Sequence, residues 1–245
     1  MIKFFRHIRQ RLLTENKLTR YFIYAIGEIV LVVIGILIAL SINNANDAGK
    51  QRQKELTLLT EMGQNLRTDL EDLEFNINGS AMRIQANEII LKTLQERIPM
   101  NDSLKPYYGN IIGNFQLSEN TAAWENLKSV GLDLISDDSL RNAISHLYTV
   151  KYGYLENLEK GADDVYQWNT FYPQFLDLIN VDQLWVSAEP VSHEALMDDR
   201  KFQETLKMNL FFRHFLKDQY DTIHEDVNSL LDHIERHIQS LKDSK

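Results

Sequence analysis

From Tyr21 to Ile42 the chain runs 22 residues whose ionisable side chains are Glu28 and the tyrosines at 21 and 24. As a helix rising about 1.5 Å per residue this stretch is roughly 33 Å long, enough to cross a bilayer core of about 30 Å. Ten of the twelve residues from Ile29 to Leu40 are Ile, Leu or Val. Together they favour insertion by about 3 to 6 kcal/mol, against a cost of about 2.5 to 3.5 kcal/mol for an acid at the centre of a span. Insertion wins, and Glu28 sits off-centre. A membrane anchor is therefore the first expectation.

The flanks orient it. Residues 1–20 carry six basic groups (Lys3, Arg6, Arg9, Arg11, Lys17, Arg20) and one acid, Glu15, whereas only Lys50, Arg52 and Lys54 follow the span closely. This asymmetry places the N-terminus in the cytoplasm and the bulk of the chain outside it, in a bacterium the periplasm, with Tyr21 and Tyr24 as an interfacial belt. Ala39-Leu-Ser41 has the small residues of a signal-peptide cleavage site, but the long basic head, the length of the span and the acid within it favour an uncleaved anchor. Ala25, Glu28, Val32, Gly35, Ala39 and Ile42 fall on one helical stripe. Gly35-xxx-Ala39 is a spacing that lets a second helix approach closely in lipid. Glu28 therefore shares a face with the residues best suited to contact, and Ala25, Glu28, Gly35 and Ala39 are the candidate transmembrane contact residues.

Tyr24-Ala-Ile-Gly-Glu-Ile-Val-Leu-Val-Val-Ile-Gly-Ile-Leu-Ile-Ala-Leu40 and Asn43-Asn44, preceded by Ile2-Lys-Phe-Phe-Arg6 and Asn16-Lys17, resemble an uncharacterised family of single-pass inner-membrane proteins from Bacteroidota. The resemblance covers residues 1–44, and Asn126-Leu-Lys-Ser129 with Gly131 extends it. Ala45 stands where members of that family often carry Trp. The resemblance implies a location in the bacterial envelope and implies no activity.

Beyond the span, net charge decides one question. Of the overall −9, the 225 residues after the head hold 20 basic and 34 acidic groups. Such a body repels phosphate, so nucleic acid is not an expected partner. With no cysteine there is no disulfide, thiolate metal site or Cys nucleophile. Gly and Pro, at 10 and 4, are too few for a loop-rich β fold.

The apolar pattern is helical. Asn43 to Gly49 reads as a hinge or helix end. Leu56, Gly63, Leu70, Ile77, Ile84, Leu91 and Ile98 recur every seven residues, with Leu59, Leu66, Leu73, Ser80, Asn87 and Leu94 as companions. They predict a long helix over 50–98, closed by Pro99. A second helix starts at Asp137-Asp138 and carries Leu140, Ile144, Leu147, Leu155, Leu158, Val165, Tyr172, Leu176 and Ile179. A third starts near Asp198-Asp199 and carries Phe202, Leu206, Leu216, Tyr220, Ile223, Val227, Leu230, Ile234 and Leu241. Shorter helices are expected at 107–115 and 121–130, and loops near 99–106, 131–137 and 181–198. No strand pattern competes. The expected fold class is all-α: a single N-terminal transmembrane helix followed by an antiparallel bundle of three long helices plus short capping helices. The divisions are 1–20 (basic cytoplasmic head), 21–42 (transmembrane helix), 43–49 (hinge) and 50–245 (extracytoplasmic bundle).

Chemical signals are few. His233 and His237, four apart, have the spacing of a metal pair without an evident third ligand, so no metal site is assigned. Asp137-Asp138 and Asp198-Asp199 cap helices, and Asp163-Asp164 completes the set of acid pairs. Phosphate loops, nucleophile elbows and zinc-protease motifs are missing, so neither catalysis nor a cofactor is expected. Tyr148, Tyr152, Tyr154, Tyr166, Trp168, Phe171, Tyr172 and Phe175 exceed what one apolar stripe requires. They either pack the core or form a flank that docks a partner, in which Tyr148, Tyr152, Trp168, Phe171 and Phe175 are the candidates and Tyr172-Pro173 bends the helix to open a groove. The sequence thus points to a non-catalytic membrane-anchored envelope protein that engages a membrane-protein partner or a second copy of itself. A small subunit of a transport or proton-driven complex using Glu28 is the alternative.

Overall fold

The first proline of the chain is Pro99, and no earlier residue forbids a helix. A computed structural model, which describes residues 18–243, has a helix α1 at Leu18–Gln95. The basic head before residue 18 lies outside the described residues. Asn43 to Gly49, expected as a hinge or helix end, are helical residues of α1: Asn, Asp and Gly weaken a helix by up to about 1 kcal/mol each, without the steric block that a proline imposes. Two units are distinguished, one ending at Lys54 and one beginning at Glu55.

In the first unit the apolar run has a mean hydropathy of 2.8 in its most apolar window, and none of that window is buried. Its length and composition suffice to cross a membrane.

In the second unit α1 is one of three long helical runs. Its buried seam is not the expected one. Leu59, Leu66, Leu73, Ser80, Asn87 and Leu94 are buried as anticipated, but their companions are Glu55, Met62, Asp69, Asn76, Arg83 and Ile90. Of the expected series Gly63 is buried, Leu56, Leu70, Ile77, Ile84 and Leu91 are only half-buried beside the seam, and Ile98 is exposed. A reading by hydrophobicity takes the apolar neighbours because four of these six companions, Glu55, Asp69, Asn76 and Arg83, are charged or amide side chains. The helix also stops four residues short of Pro99, with Arg97 at φ 54 in the turn that follows.

The return from α1 is irregular. A 3₁₀ turn, Asp102–Leu104, leads into α2 (Lys105–Asn110), an irregular segment over 111–120, then α3 (Ala122–Val130), which ends at Gly131 with φ 105, a conformation suited to glycine.

The second long run occupies 138–178. Asp137 Oδ1 caps it by accepting from Leu140 N at 2.8 Å. It alternates α segments, α4 (Asp138–His146), α5 (Tyr152–Glu156), α6 (Asp164–Tyr166) and α7 (Tyr172–Leu178), with π segments at Leu147–Lys151, Asn157–Asp163 and Gln167–Phe171. The sequence explains this. Leu155, Glu159, Asp163, Gln167, Phe171, Phe175 and Ile179 repeat every four residues and all are buried. In a straight α-helix four residues overshoot one turn by about 40°, so such a stripe would spiral out of the core. The wider π turns absorb the surplus and keep the line inward. The expected line, counted at α-helical spacing, drifts off it: Val165 and Leu176 are exposed.

Strands, expected to be absent, do occur. β1 (Ile179–Gln183) pairs antiparallel with β2 (Ser187–Pro190), from Ile179 opposite Pro190 to Gln183 opposite Ser187. Four and five residues of mixed polarity are too short to show an alternation. Val186 N–H donates to Gln183 O at 3.0 Å across the tip, and Trp185 there has φ 63. That conformation costs a residue with a Cβ about 1–2 kcal/mol. The fold is otherwise helical, 84% of it.

After α8 (His193–Asp198), Asp199 Oδ1 caps α9 (Arg200–Asp243) by accepting from Phe202 N at 2.9 Å. The α9 core line of Phe202, Leu206, Leu216, Tyr220, Ile223, Val227, Leu230 and Ile234 is buried as expected. Its pairings run backwards along both other helices: Glu55 with His237 and Glu88 with His214 on α1, Lys151 with Asp226 and Asp163 with Arg213 on the second run. The last helix is therefore antiparallel to both, and those two run parallel, joined by the crossover through 96–137.

Candidate functional site

The charged and amide side chains in the α1 seam exist for a reason visible in the crossover. Segment 111–120 has no regular structure, and its buried backbone groups must find partners. Asn87 Nδ2 and Asn209 Nδ2 donate to Ile111 O at 3.2 and 2.9 Å. Arg213 Nη1 donates to Gly113 O at 3.4 Å, Tyr220 Oη to Phe115 O at 2.9 Å and Asn76 Nδ2 to Gln116 O at 3.1 Å. In the other direction Leu117 N donates to Glu159 Oε1 at 2.9 Å, Ser118 N to Asp72 Oδ2 at 2.7 Å and Asn120 N to Asp69 Oδ1 at 2.8 Å. This irregular strap is thus held in the bundle by polar side chains from all three long runs.

These groups form a layer between two apolar clusters, one around Leu59, Leu66, Leu73, Ile223 and Val227, the other around Ile90, Phe171, Phe175, Phe202 and Leu206. At its centre Arg213 on α9 pairs with Asp163. Gln167 Nε2 donates to Asp163 Oδ1 at 3.1 Å and Asn209 Oδ1 at 2.7 Å, and Asn209 Nδ2 donates to Asn87 Oδ1 at 3.0 Å. Glu159, Asp163 and Gln167 all lie in π segments, which recur at functional sites.

Beside this layer a cavity of about 230 Å³ is lined by Leu117, Ser118, Glu119, Tyr152, Leu155, Glu156, Glu159 and Lys160. Burial pushes the Glu159 carboxyl up to about 7, against the opposing pull of its hydrogen bonds from Leu117 N and Tyr220 Oη. Burial likewise raises Asp69, although Tyr152 Oη donates to its Oδ2 at 2.8 Å. Glu159 can therefore exchange a proton near neutral pH, the property a cleft acid needs for proton handling. A second cavity of about 190 Å³ is lined by Ala143, His146, Leu147, Lys151, Asp226, Ser229, Leu230 and His233.

The sequence model of a family of unknown function, DUF6090, matches residues 28–166, more than half of the 245-residue chain. The chain belongs to this family. No curated protein and no solved structure matches it. The family match contains Glu28, Gly35, Ala39, the α1 seam, the strap and Glu159. It stops before the hairpin and α9.

The residues singled out from sequence fall into three groups. Ala25, Glu28, Gly35 and Ala39 lie on the apolar part of α1, with Ala25 and Glu28 half-buried and Gly35 and Ala39 exposed. Of the five aromatics nominated as a docking flank, Tyr148, Tyr152, Phe171 and Phe175 are core residues: Phe171 and Phe175 stand on the period-four line that the π segments turn inward, while Tyr148 stacks on Trp124 and meets edge-on the ring of Tyr152, whose hydroxyl reaches Asp69. Trp168 alone is on the surface, 63% exposed and stacked on Tyr172 at 4.6 Å. His237 Nε2 sits 2.9 Å from Glu55 Oε1, and His233 Nε2 sits 3.7 Å from Asp137 Oδ2. Among the described residues no three His, Cys, Asp or Glu side chains gather to hold a metal. Asp163 and Asp164 are not caps: Asp163 pairs with Arg213, while Asp164 accepts from Asn114 and from Gln116 Nε2 at 2.7 Å. Hydrophobic patterning passes over Glu159, Asp163, Arg83 and Arg213; their legible signal is polar side chains recurring every four or seven residues within helical runs.

Proposed function

We propose that the chain is a non-catalytic, membrane-anchored envelope protein. Residues 21–42 cross the inner membrane with the N-terminus cytoplasmic, and the helical domain on the outer side makes protein–protein contacts. The observation that supports this reading is the apolar run itself: its hydropathy of 2.8 comes with no burial inside the fold. Exposed apolar surface on that scale calls for lipid or a partner. The acid within it, Glu28, lies on the same stripe as Gly35 and Ala39, and intramembrane acids generally face protein. The polar interior of the domain is consumed by holding its own strap, which suits a rigid binding module.

The test is to crosslink and purify the tagged full-length chain from its native membranes beside Glu28→Leu and Glu28→Gln. The reading expects a second membrane protein, or a second copy of the chain, to be captured by wild type and by Glu28→Gln and lost with Glu28→Leu. Identical capture by all three removes the transmembrane contact from the proposal. Recovery of the chain in the soluble fraction removes the anchor.

A further inference from the structure

The cavity between the strap and the second long run carries unbalanced charge. Three carboxylates line it, Glu119 from the strap and Glu156 and Glu159 from the helical run, against one cation, Lys160. Lys160 Nζ is committed to Glu156 Oε1 at 2.7 Å on the exposed rim. Glu119 meets like charge instead: burial, then Glu156 and Asp69, hold its pKa above the ordinary carboxylate value, against the pull of Lys160.

Glu159 is the informative member. It is only 2% exposed, and its Oε1 accepts from Leu117 N at 2.9 Å and from Tyr220 Oη at 2.8 Å. Among the described residues Oε2 accepts no hydrogen bond, yet it is not sealed in the core as the unpartnered Asp163 Oδ2 is. A buried carboxylate oxygen without a donor is costly. Water can donate to it but leaves the surplus charge of the cavity in place. The volume, about 230 Å³, exceeds the roughly 150 Å³ of a cavity that holds benzene. Leu117, Leu155 and Tyr152 give it an apolar wall. The carboxylates do not gather tightly enough to chelate a metal ion. An ammonium group needs no such convergence, because its three N–H bonds diverge and can reach acceptors on different walls.

We propose that this cavity binds a small alkylammonium ligand, its charged head among Glu159 Oε2, Glu119 and Glu156 and its carbon chain against Leu117, Leu155 and Tyr152. The ligand competes with a proton. The titratable groups around Glu159 are Glu156, Lys160 and Asp163 on its own run, Glu119 on the strap and Tyr220 on α9, with Arg213 already paired to Asp163. Burial lifts Glu159 to about 7, so it holds its proton at pH 5.5 and is free to pair at pH 8. Affinity is therefore expected to rise with pH across that interval.

The test is calorimetric titration of the full-length chain in uncharged maltoside micelles with butylamine and diaminobutane hydrochlorides. Butanol, calcium chloride and sodium chloride at matched ionic strength are the references. Wild type is expected to bind an amine saturably at pH 8 and more weakly at pH 5.5. Glu159→Gln keeps an acceptor for Leu117 N and Tyr220 Oη, loses the charge, and is expected to bind about tenfold more weakly at pH 8. Lys160→Met removes the cation that competes for Glu156 and is expected to bind about twofold to fivefold more tightly, a gain that misfolding would not produce. Glu194→Gln, which removes an exposed acid on α8, should leave affinity unchanged. A wild type that takes up neither amine overturns the site. So does equal binding of butanol, tighter binding of calcium, or a Glu194→Gln loss as large as that of Glu159→Gln.

Discussion

Arg213 and Asp163 form an ion pair between α9 and the second π segment in which both side chains are only 1% exposed. A pair this buried contributes little over an apolar equivalent, because each ion has lost its hydration, but breaking it strands a charge. Arg213→Met is therefore expected to lower the unfolding free energy by about 3–5 kcal/mol. The double variant Asp163→Leu/Arg213→Met should recover most of that loss. Urea midpoints followed by circular dichroism decide it: a double variant no more stable than the single one would mean that the two residues do not act as a unit.

Glu159 sets the pH dependence. Its folded pKa, about 7, lies above the ordinary carboxylate value of 4.5. The folded state therefore holds the proton more tightly than the unfolded chain. The stability that this proton lends is fully present below pH 4.5 and is lost as pH rises toward and through 7. The expected loss is about 3 kcal/mol, since each tenfold difference in proton affinity between the folded and unfolded chain is worth about 1.4 kcal/mol. Asp69, also raised by burial, works in the same direction. Glu159→Gln keeps an acceptor for Leu117 N and Tyr220 Oη and cannot ionise. Its melting temperature should match wild type at pH 4.5 and exceed it at pH 8, and parallel profiles for the two proteins would count against the assignment.

Much of this architecture is legible in the sequence because three long helical runs need only an apolar period, a cap and a stop. Asp137 and Asp199 supply caps and the α9 line the period, while Gly131 stops the short α3. The interior is harder. The α1 seam contains Asp69, Asn76 and Asn87 because a buried strap needs partners for its backbone, and that demand arises from residues 24 to 51 positions further along the chain. The period-four line from Leu155 to Ile179 is present in the sequence, but a helix counted at 3.6 residues per turn discards it. Phe171 and Phe175 stand on that line, so a count at 3.6 residues per turn does not tell core from flank for them, and an aromatic surplus by itself does not separate the two at Tyr148 and Tyr152. The hairpin is hidden by its brevity.

Substitution of those aromatics separates core from surface. Phe171 is fully buried, and Phe171→Ala should cost about 3–5 kcal/mol. Tyr152→Phe removes the donor to Asp69 Oδ2 in a buried setting and should cost about 1.5–3 kcal/mol, the range for a hydrogen bond to a charged group. Trp168→Ala, on the exposed face, should change stability by about 0.5 kcal/mol or less. Chemical denaturation of the three variants checks the order, and a large effect at Trp168 would restore the aromatic flank as a structural element.

Two glycines give opposite signs for one substitution. In a helix Ala is favoured over Gly by about 0.5–1 kcal/mol. At Gly153 a Cβ meets nothing within 4 Å, so Gly153→Ala should stabilise the domain by about that amount. At Gly79 the Cβ would fall 2.2 to 2.8 Å from three carbons of the Phe115 ring. The ring is held by its edge contact with Phe75 at 5.8 Å and by the guanidinium of Arg83 above it. Relieving the clash means giving up both contacts, a penalty of about 1–3 kcal/mol that outweighs the helical gain. Gly79→Ala should therefore lower the melting temperature while Gly153→Ala raises it.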